Sequence, residues 1–362
     1  MKSKIQVIFV TAVFLALAVW AWFKPADDIS DSELRKLAQF PEVKAEKIFN
    51  GQFMSEFETY ALDQFPMRDE FRTVKAVVYL YAFRQLDNNG IYVENGYAAK
   101  MEYPLDEEAE SYALGRIQNV YNKFIADSNA NCYIAIIPDK NYFLAKEHGA
   151  LSLDYDRIFN DVKKEASFAQ YIDITGLLSI EDYYRTDTHW DQSCITDVAE
   201  YLAQSMGTEL EGTNTVKTID APFYGVYYGQ AALPMKPDTV NYVTNDAIEA
   251  AQVFDWQNSK PIPVYDEAKI YERSPYDLFL GGSLSMITID NPLATTDKEL
   301  VVFRDSFGSS LVPLMISGYK KITVLDIRYL PGDRIGSFVE FDNQDVLFLY
   351  STAVLNNGKT LK

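Results

Sequence analysis

The first strong pattern along the chain is an apolar run at residues 5–23, interrupted only by Gln6 and Thr11. As a helix rising about 1.5 Å per residue it spans roughly 28 Å, close to the hydrocarbon thickness of a bilayer. Lys2 and Lys4 precede the run, and Trp20 and Trp22 close it. This predicts a transmembrane helix or signal anchor over residues 1–24, a cytoplasmic N-terminus and a body on the extracellular side. Ala16-Leu17-Ala18 leaves a cleaved signal peptide open as the other reading. Residues 25–50 read as a linker and stalk. In residues 53–86, apolar positions such as Phe57, Tyr60, Ala61, Val74, Val78 and Tyr81 recur at helical spacing. They predict two helices broken at Phe65-Pro66, since proline removes a donor and restricts its predecessor. Asn88-Asn89-Gly90 gives a turn, and Ile91-Tyr92-Val93 with residues 97–101 reads as a hairpin around Asn95-Gly96. Residues 51–103 thus form a helical and hairpin entry module.

From about residue 104 helical stretches alternate with short runs that are apolar on both faces. The runs are 133–137, 171–174, 300–303, 322–325 and 346–350, with helices expected over 109–125 and 155–168. Such strands need cover on both sides, so the pattern predicts an α/β domain over residues 104–362, a parallel sheet flanked by helices. In such sheets a site gathers at the carboxyl ends of the strands. Residues 212–297 are less regular and read as an insertion or lid with short strands. Its aromatic residues Tyr224, Tyr227, Tyr228 and Trp256 suit sugar stacking, and also plain core packing.

Composition narrows the context. The chain has 362 residues, is 48% hydrophobic and 23% charged, and can bury a sizeable ordered core. Its formal charge of -19 argues against nucleic acid, which needs basic stripes. Cys132 and Cys194, the two cysteines, read as buried thiols, with a disulfide left open. No zinc spacing, nucleotide loop or cofactor motif occurs, so neither a metal nor a cofactor is expected.

The chemistry-bearing residues follow. Ser306 succeeds a buried strand and precedes the helix-like residues 311–316, a turn where backbone N–H groups can stabilise an oxyanion. An Asp305-Ser306 helix cap would look the same in sequence. His189, one of two histidines, supplies a base for that hydroxyl, and Asp187 can reach back to hold the imidazole tautomer. The competing reading is a structural histidine beside an N-capping Asp187. Arg304, Phe307 and Lys140 are the candidate substrate or oxyanion contacts. His148 reads as a helix-end residue outside the site.

At these residues the chain resembles the DHHW family of exported bacterial proteins. More distantly it resembles the alginate O-acetylation proteins, which share an SGNH-hydrolase-like domain. The resemblance rests on residues 33–37 with Phe40-Pro41, Phe57-Glu58, residues 63–69, Asp187-Thr188-His189-Trp190, residues 304–308 and Asp326-Ile327-Arg328-Tyr329. It implies Asp187 as orienter, His189 as general base and acid, and Ser306 as nucleophile, on an SGNH-like fold with permuted motif order. The second motif position is Thr188 where the family name has histidine, as in the acetylation relatives, and Arg304 stands where many SGNH enzymes have glycine. The resemblance further implies an O-acetyltransferase or acetylesterase acting on an envelope polysaccharide, with a membrane-bound O-acyltransferase as acyl-donor partner. A non-catalytic glycan-binding or assembly protein is the alternative from another class.

Overall fold

Runs rich in valine, isoleucine and phenylalanine with no alternating polar partner become strands buried on both faces, and in this chain they build one central sheet. The computed structural model describes residues 2–362 apart from Asp31, Leu34 and Arg273. Asp31 and Leu34 of the stalk segment therefore lie outside the described residues. The chain forms two units, one of residues 1–89 with 228–234 and one of residues 90–227 with 235–362.

The first unit opens with α1 (Lys2–Phe23), apolar almost throughout, with none of its most apolar stretch buried. That helix is long and apolar enough to cross a membrane. A short ladder of β1 (Ile29–Ser30) with β2 (Arg35–Lys36) follows, then α2 (Ala45–Phe49), α3 (Gln52–Asp63) and α4 (Arg68–Val77), which runs on into a π turn, Val78–Ala82. The expected break at Phe65-Pro66 separates α3 from α4. Asp63, at the end of α3, accepts two bonds from Arg35 (2.8 and 2.6 Å) and one from the Ala38 amide (2.9 Å).

The second unit begins with the hairpin β3 (Ile91–Glu94) and β4 (Tyr97–Lys100). It continues through α5 (Glu107–Val120), β5 (Asn131–Ile137), α6 (Lys140–His148), α7 (Tyr155–Glu165), β6 (Gln170–Tyr171) and α8 (Thr196–Ser205). The ribbon β7 (Thr215–Phe223) and β8 (Asp238–Thr244) precedes α10 (Asp246–Ala250); between its strands in sequence comes the short α9 (Val226–Ala231), which belongs from Tyr228 on to the first unit. Then come β9 (Gln252–Asp255), β10 (Lys260–Ile262), β11 (Met286–Asp290), β12 (Glu299–Arg304), α11 (Gly308–Leu314), β13 (Lys321–Leu325), β14 (Asp345–Ser351) and α12 (Thr352–Asn356).

The central sheet has the order β10-β9-β11-β13-β12-β14-β5-β6. From β13 to β6 every pairing is parallel; β13, β12, β14 and β5 cover the runs expected from sequence, while β6 meets the expected 171–174 run only at Tyr171. The other three strands pair antiparallel. They come from the stretch read as an irregular insertion, which thus widens the main sheet as well as supplying the β7–β8 ribbon. On one face Ile287, Leu300, Val302, Val324 and Leu349 pack with residues of α8 and α11 around buried Trp190. On the other, Val301, Phe303, Val346 and Phe348 pack with α5 and α7. Burying a large apolar side chain stabilises by about 1.5–3 kcal/mol, so these two layers fix where β12 ends.

Both cysteines are free thiols. Cys132 is half-buried, and burial pushes its thiol up to about 12. Cys194 is exposed, which corrects the expectation of a second buried thiol; it lies on a 3-10 turn (Gln192–Cys194) ahead of α8 and not inside the helix.

Candidate active site

The strand β12 ends at Arg304, and Ser306 stands on the turn before α11. Asp305 holds that turn: one oxygen accepts the Phe307 amide (3.0 Å) and the other the Ser351 amide at the end of β14 (2.7 Å). Asp305 thus braces the turn and does not cap α11, whose N-cap Phe307 has no side-chain cap, and the Ser306 hydroxyl is left available.

That hydroxyl lies 2.8 Å from His189 Nε2. His189 Nδ1 lies 2.5 Å from Asp187 Oδ1, and the same oxygen accepts the His189 amide at 3.0 Å. The other Asp187 oxygen accepts the Val226 amide at 2.8 Å. Burial alone would raise the Asp187 carboxyl. The facing His189 charge and these hydrogen bonds outweigh it and hold the group below the usual carboxylate range. The approach of Val226 depends on Gly225, where a Cβ would sit 2.2 Å from the Asp187 Cβ.

Buried side chains satisfy several polar backbone groups of the loop that carries Asp187, as a buried loop needs. Asp238 accepts the amides of Arg185 (2.8 Å) and Thr186 (2.7 Å). Lys140 donates to the carbonyls of Tyr184 (2.6 Å), Arg185 (3.2 Å) and Asp187 (3.0 Å). Its ammonium also lies over the Tyr97 and Tyr227 rings, 5.6 and 5.5 Å from their centroids. Lys140 is 1% exposed, so its donors are turned into the protein and cannot meet a substrate. This replaces the expected substrate or oxyanion contact with a residue that positions the Asp187 loop. Burial pushes the ammonium down to about 7, against the charges of Asp187 and Asp238.

Two further candidates face the interior. Arg304 is fully buried; it donates to the Gly282 carbonyl at 2.8 Å and lies 3.7 Å from Asp326, which Arg328 pairs at 2.6 Å. A guanidinium needs such partners when desolvated, and the cost is that it presents nothing to a substrate. The Phe307 amide is engaged by Asp305, so it is not a free oxyanion donor, and its ring packs on Trp190 (5.2 Å) and His189 (5.0 Å). His148 lies outside this group, bonded to Glu94 (2.8 Å) and stacked on Tyr92.

Sequence reasoning missed Tyr276. Its ring lies parallel to His189, 3.8 Å between centroids and 7° between planes. Its hydroxyl lies 2.7 Å from Ser310 Oγ, which also accepts the Trp190 indole N–H at 2.8 Å. Ser310 thus joins the helix after Ser306 to the His189-Trp190 segment and to the ring that covers the imidazole. Only the Trp190 part of this junction had a signal, as an aromatic next to His189 that needs both burial and a hydrogen-bond acceptor. Among the described residues no three His, Cys, Asp or Glu side chains gather as a metal site.

With Asp187, His189 and Ser306 set in one line of hydrogen bonds, the comparison with known proteins bears on the same segment. Residues 174–325 match the DHHW protein family. The DHHW region therefore spans the Asp187 loop, the added antiparallel strands and the Ser306 turn. A DHHW family protein from Eubacterium siraeum superposes with a TM-score of 0.58 at 21% identity, over 76% of this chain and 94% of its own. Bacillus cereus PatB1 with a sulfonyl adduct superposes with a TM-score of 0.59 at 16% identity, over 73% of this chain and 95% of its own. The O-acetyltransferase domain of Pseudomonas putida AlgJ aligns more loosely, with a TM-score of 0.45 at 12% identity over 74% of this chain and 92% of its own. No curated protein matches the chain in sequence.

Proposed function

We propose that the protein is a membrane-tethered O-acetyltransferase or acetylesterase acting on an envelope polysaccharide through an acetyl-Ser306 intermediate. The observation that carries the reading is the unbroken line Asp187–His189–Ser306, with contacts of 2.5 and 2.8 Å. As Ser306 Oγ attacks an acetyl carbonyl, its proton passes to His189 Nε2, while Asp187 steadies the imidazolium through Nδ1. Collapse of the tetrahedral intermediate expels the donor oxygen, which takes that proton from Nε2. A sugar hydroxyl then gives its proton to His189 and attacks acetyl-Ser306, and the departing Ser306 oxygen takes that proton back from Nε2; water in its place yields acetate. Among the described residues the Ser306 amide has no acceptor, so it is the natural donor to the developing oxyanion.

The domain reading completes the proposal. The helix α1 anchors the chain, residues 25–50 are the linker and stalk, residues 51–103 the entry module, and the SGNH-like domain works outside the cell. The acyl donor is supplied across the membrane by a membrane-bound O-acyltransferase, as the family resemblance implies. The test is turnover of a small acetyl ester by the purified full chain. Ser306→Ala and His189→Ala should each abolish it, and Asp187→Asn should lower kcat by up to about 10⁴, as for the amide substitution in the Ser-His-Asp template. Wild-type protein inert toward acetyl esters and acetyl acceptors alike would favour the non-catalytic glycan-binding role.

A further inference from the structure

The face of the central sheet that packs on α5 and α7 changes character across its width. Strand residues two apart share a face, and the register lines them up in rows across the strands. One row, Met286, Leu325 and Phe303, is apolar and buried. The next is Phe254, Thr288, Thr323 and Val301, and the one beyond is Asp290, Lys321 and Glu299. A helix-covered face would need apolar residues in all three rows. Here instead lies a groove of about 580 Å³, within the range of about 300–1,000 Å³ typical of ligand sites. Its lining adds Trp256, Phe338 and Asp342 to the strand residues.

Trp256 is fixed and yet exposed. Its indole N–H donates to Thr288 Oγ1 at 3.1 Å, and its ring meets Phe254 edge-on at 5.1 Å, which leaves the residue 49% exposed. Phe338 is exposed at 51%. Among the described residues Lys321 and Thr323 make no side-chain hydrogen bond or ion pair. Rigid aromatic surface beside unpartnered donors and acceptors suits a ligand with both an apolar face and a rim of hydroxyls. A pyranose ring has that surface. Glu299, Glu340 and Asp342 against the single cation Lys321, on a chain of charge -19, favour a neutral sugar over a uronate or sulfated one.

We propose that this groove binds a neutral oligosaccharide segment at a subsite separate from the triad, stacked on Trp256 and bonded through Thr323 and Lys321. The assignment of a glycan rests on the proposed acetyl-transfer reading for its biological sense, while the groove itself shares no residue with Asp187, His189 and Ser306. Val301 lies within β12 on the face packed by α5 and α7, whereas Ser306 follows the end of that strand, so the groove is a site apart from the triad.

Full-length protein is titrated calorimetrically with chitohexaose, cellohexaose and mannohexaose, and the same samples are assayed on a small acetyl ester. The expected result is binding of at least one hexasaccharide, weakened about tenfold by Trp256→Ala, the loss of about 1.4 kcal/mol of stacking and burial. Trp256→Phe should keep most of the affinity, and Thr323→Val should weaken it with the fold intact by thermal unfolding. Ester turnover should be the same in wild type and Trp256→Ala. Binding of none of the three sugars by wild type, or equal affinity of Trp256→Ala, overturns the groove. Absence of ester turnover from wild type counts against the catalytic reading alone, because binding is read separately.

Discussion

Replacing Lys140 with methionine should leave a mark that depends on pH. The side chain is buried and its three protons satisfy the carbonyls of Tyr184, Arg185 and Asp187. Removing the donors leaves the carbonyls of Tyr184 and Asp187 without a partner, each costing about 1–3 kcal/mol, while the Arg185 carbonyl keeps the Ala98 amide at 2.8 Å. Methionine fills the stem volume and removes the burden of a desolvated charge. That burden is set by the fall of the Lys140 ammonium from 10.5 to about 7, at about 1.4 kcal/mol per unit, or about 5 kcal/mol in all. Its sign follows from linkage. Between about 7 and 10.5 the unfolded chain binds the proton and the folded protein does not, so this group makes stability rise with pH through that window. Below about 7 the lysine is charged in both states, the burden is at its full value, and the methionine variant compares most favourably. Urea unfolding at pH 6, 7, 8 and 9 should then show a stability deficit of Lys140→Met that grows by about 1.4 kcal/mol per unit above about pH 7. A deficit constant over that range would refute the assignment of a destabilised buried ammonium. Ester turnover of the variant at pH 6 should also fall, because the loop that aims Asp187 loses its anchor. Turnover equal to wild type would show that the loop holds its shape without Lys140.

Gly225→Ala should lower kcat/KM for a small ester at least about tenfold, since a Cβ 2.2 Å from that of Asp187 must push the Val226 amide off the carboxylate. Wild-type kinetics from this variant would contradict the close approach. Arg304→Ala should destabilise by about 3–5 kcal/mol in a urea melt, through a lost buried charge contact and a cavity, with Arg304→Met recovering much of it. An Arg304→Ala protein as stable as wild type would return the side chain to a surface role. Tyr276→Phe should keep most of kcat while Tyr276→Leu, which removes the plane stacked on His189, should lower kcat with KM little changed. Equal loss in the two variants would point to the hydroxyl and Ser310 instead of the ring.

Four of the parallel strands were legible because they are apolar on both faces; the fifth, Gln170–Tyr171, was reached only at Tyr171. Met286–Asp290 was not, because Thr288 and Asp290 break its apolar run and its burial comes from strands far away in sequence. Residues 252–255 and 260–262 are too short for periodicity to tell strand from loop. At the site, Asp187, His189 and Ser306 stood out as rare chemistry at two local motifs, and the structure brings them into contact. The fate of Arg304 could not be read: alternation assigns it a side of β12 but not the Gly282 carbonyl or Asp326 that receive it. Lys140 followed a strand end as a site residue would, yet its acceptors belong to a loop whose path no local signal records. Tyr276 carries no motif, and its meeting with His189 exists only in the folded chain.

The most direct measurement is site-resolved labelling of the full chain with an aryl sulfonyl fluoride, a reagent that captures activated hydroxyls; the structurally similar PatB1 carries a sulfonyl adduct. Peptide mass mapping should place a single sulfonyl group on Ser306 in wild type, and His189→Ala should lose nearly all of that labelling with its fold intact. Sulfonylation of Ser306 at the same rate without His189, or no modification of Ser306 at all, would contradict the claim that these residues form a working nucleophile.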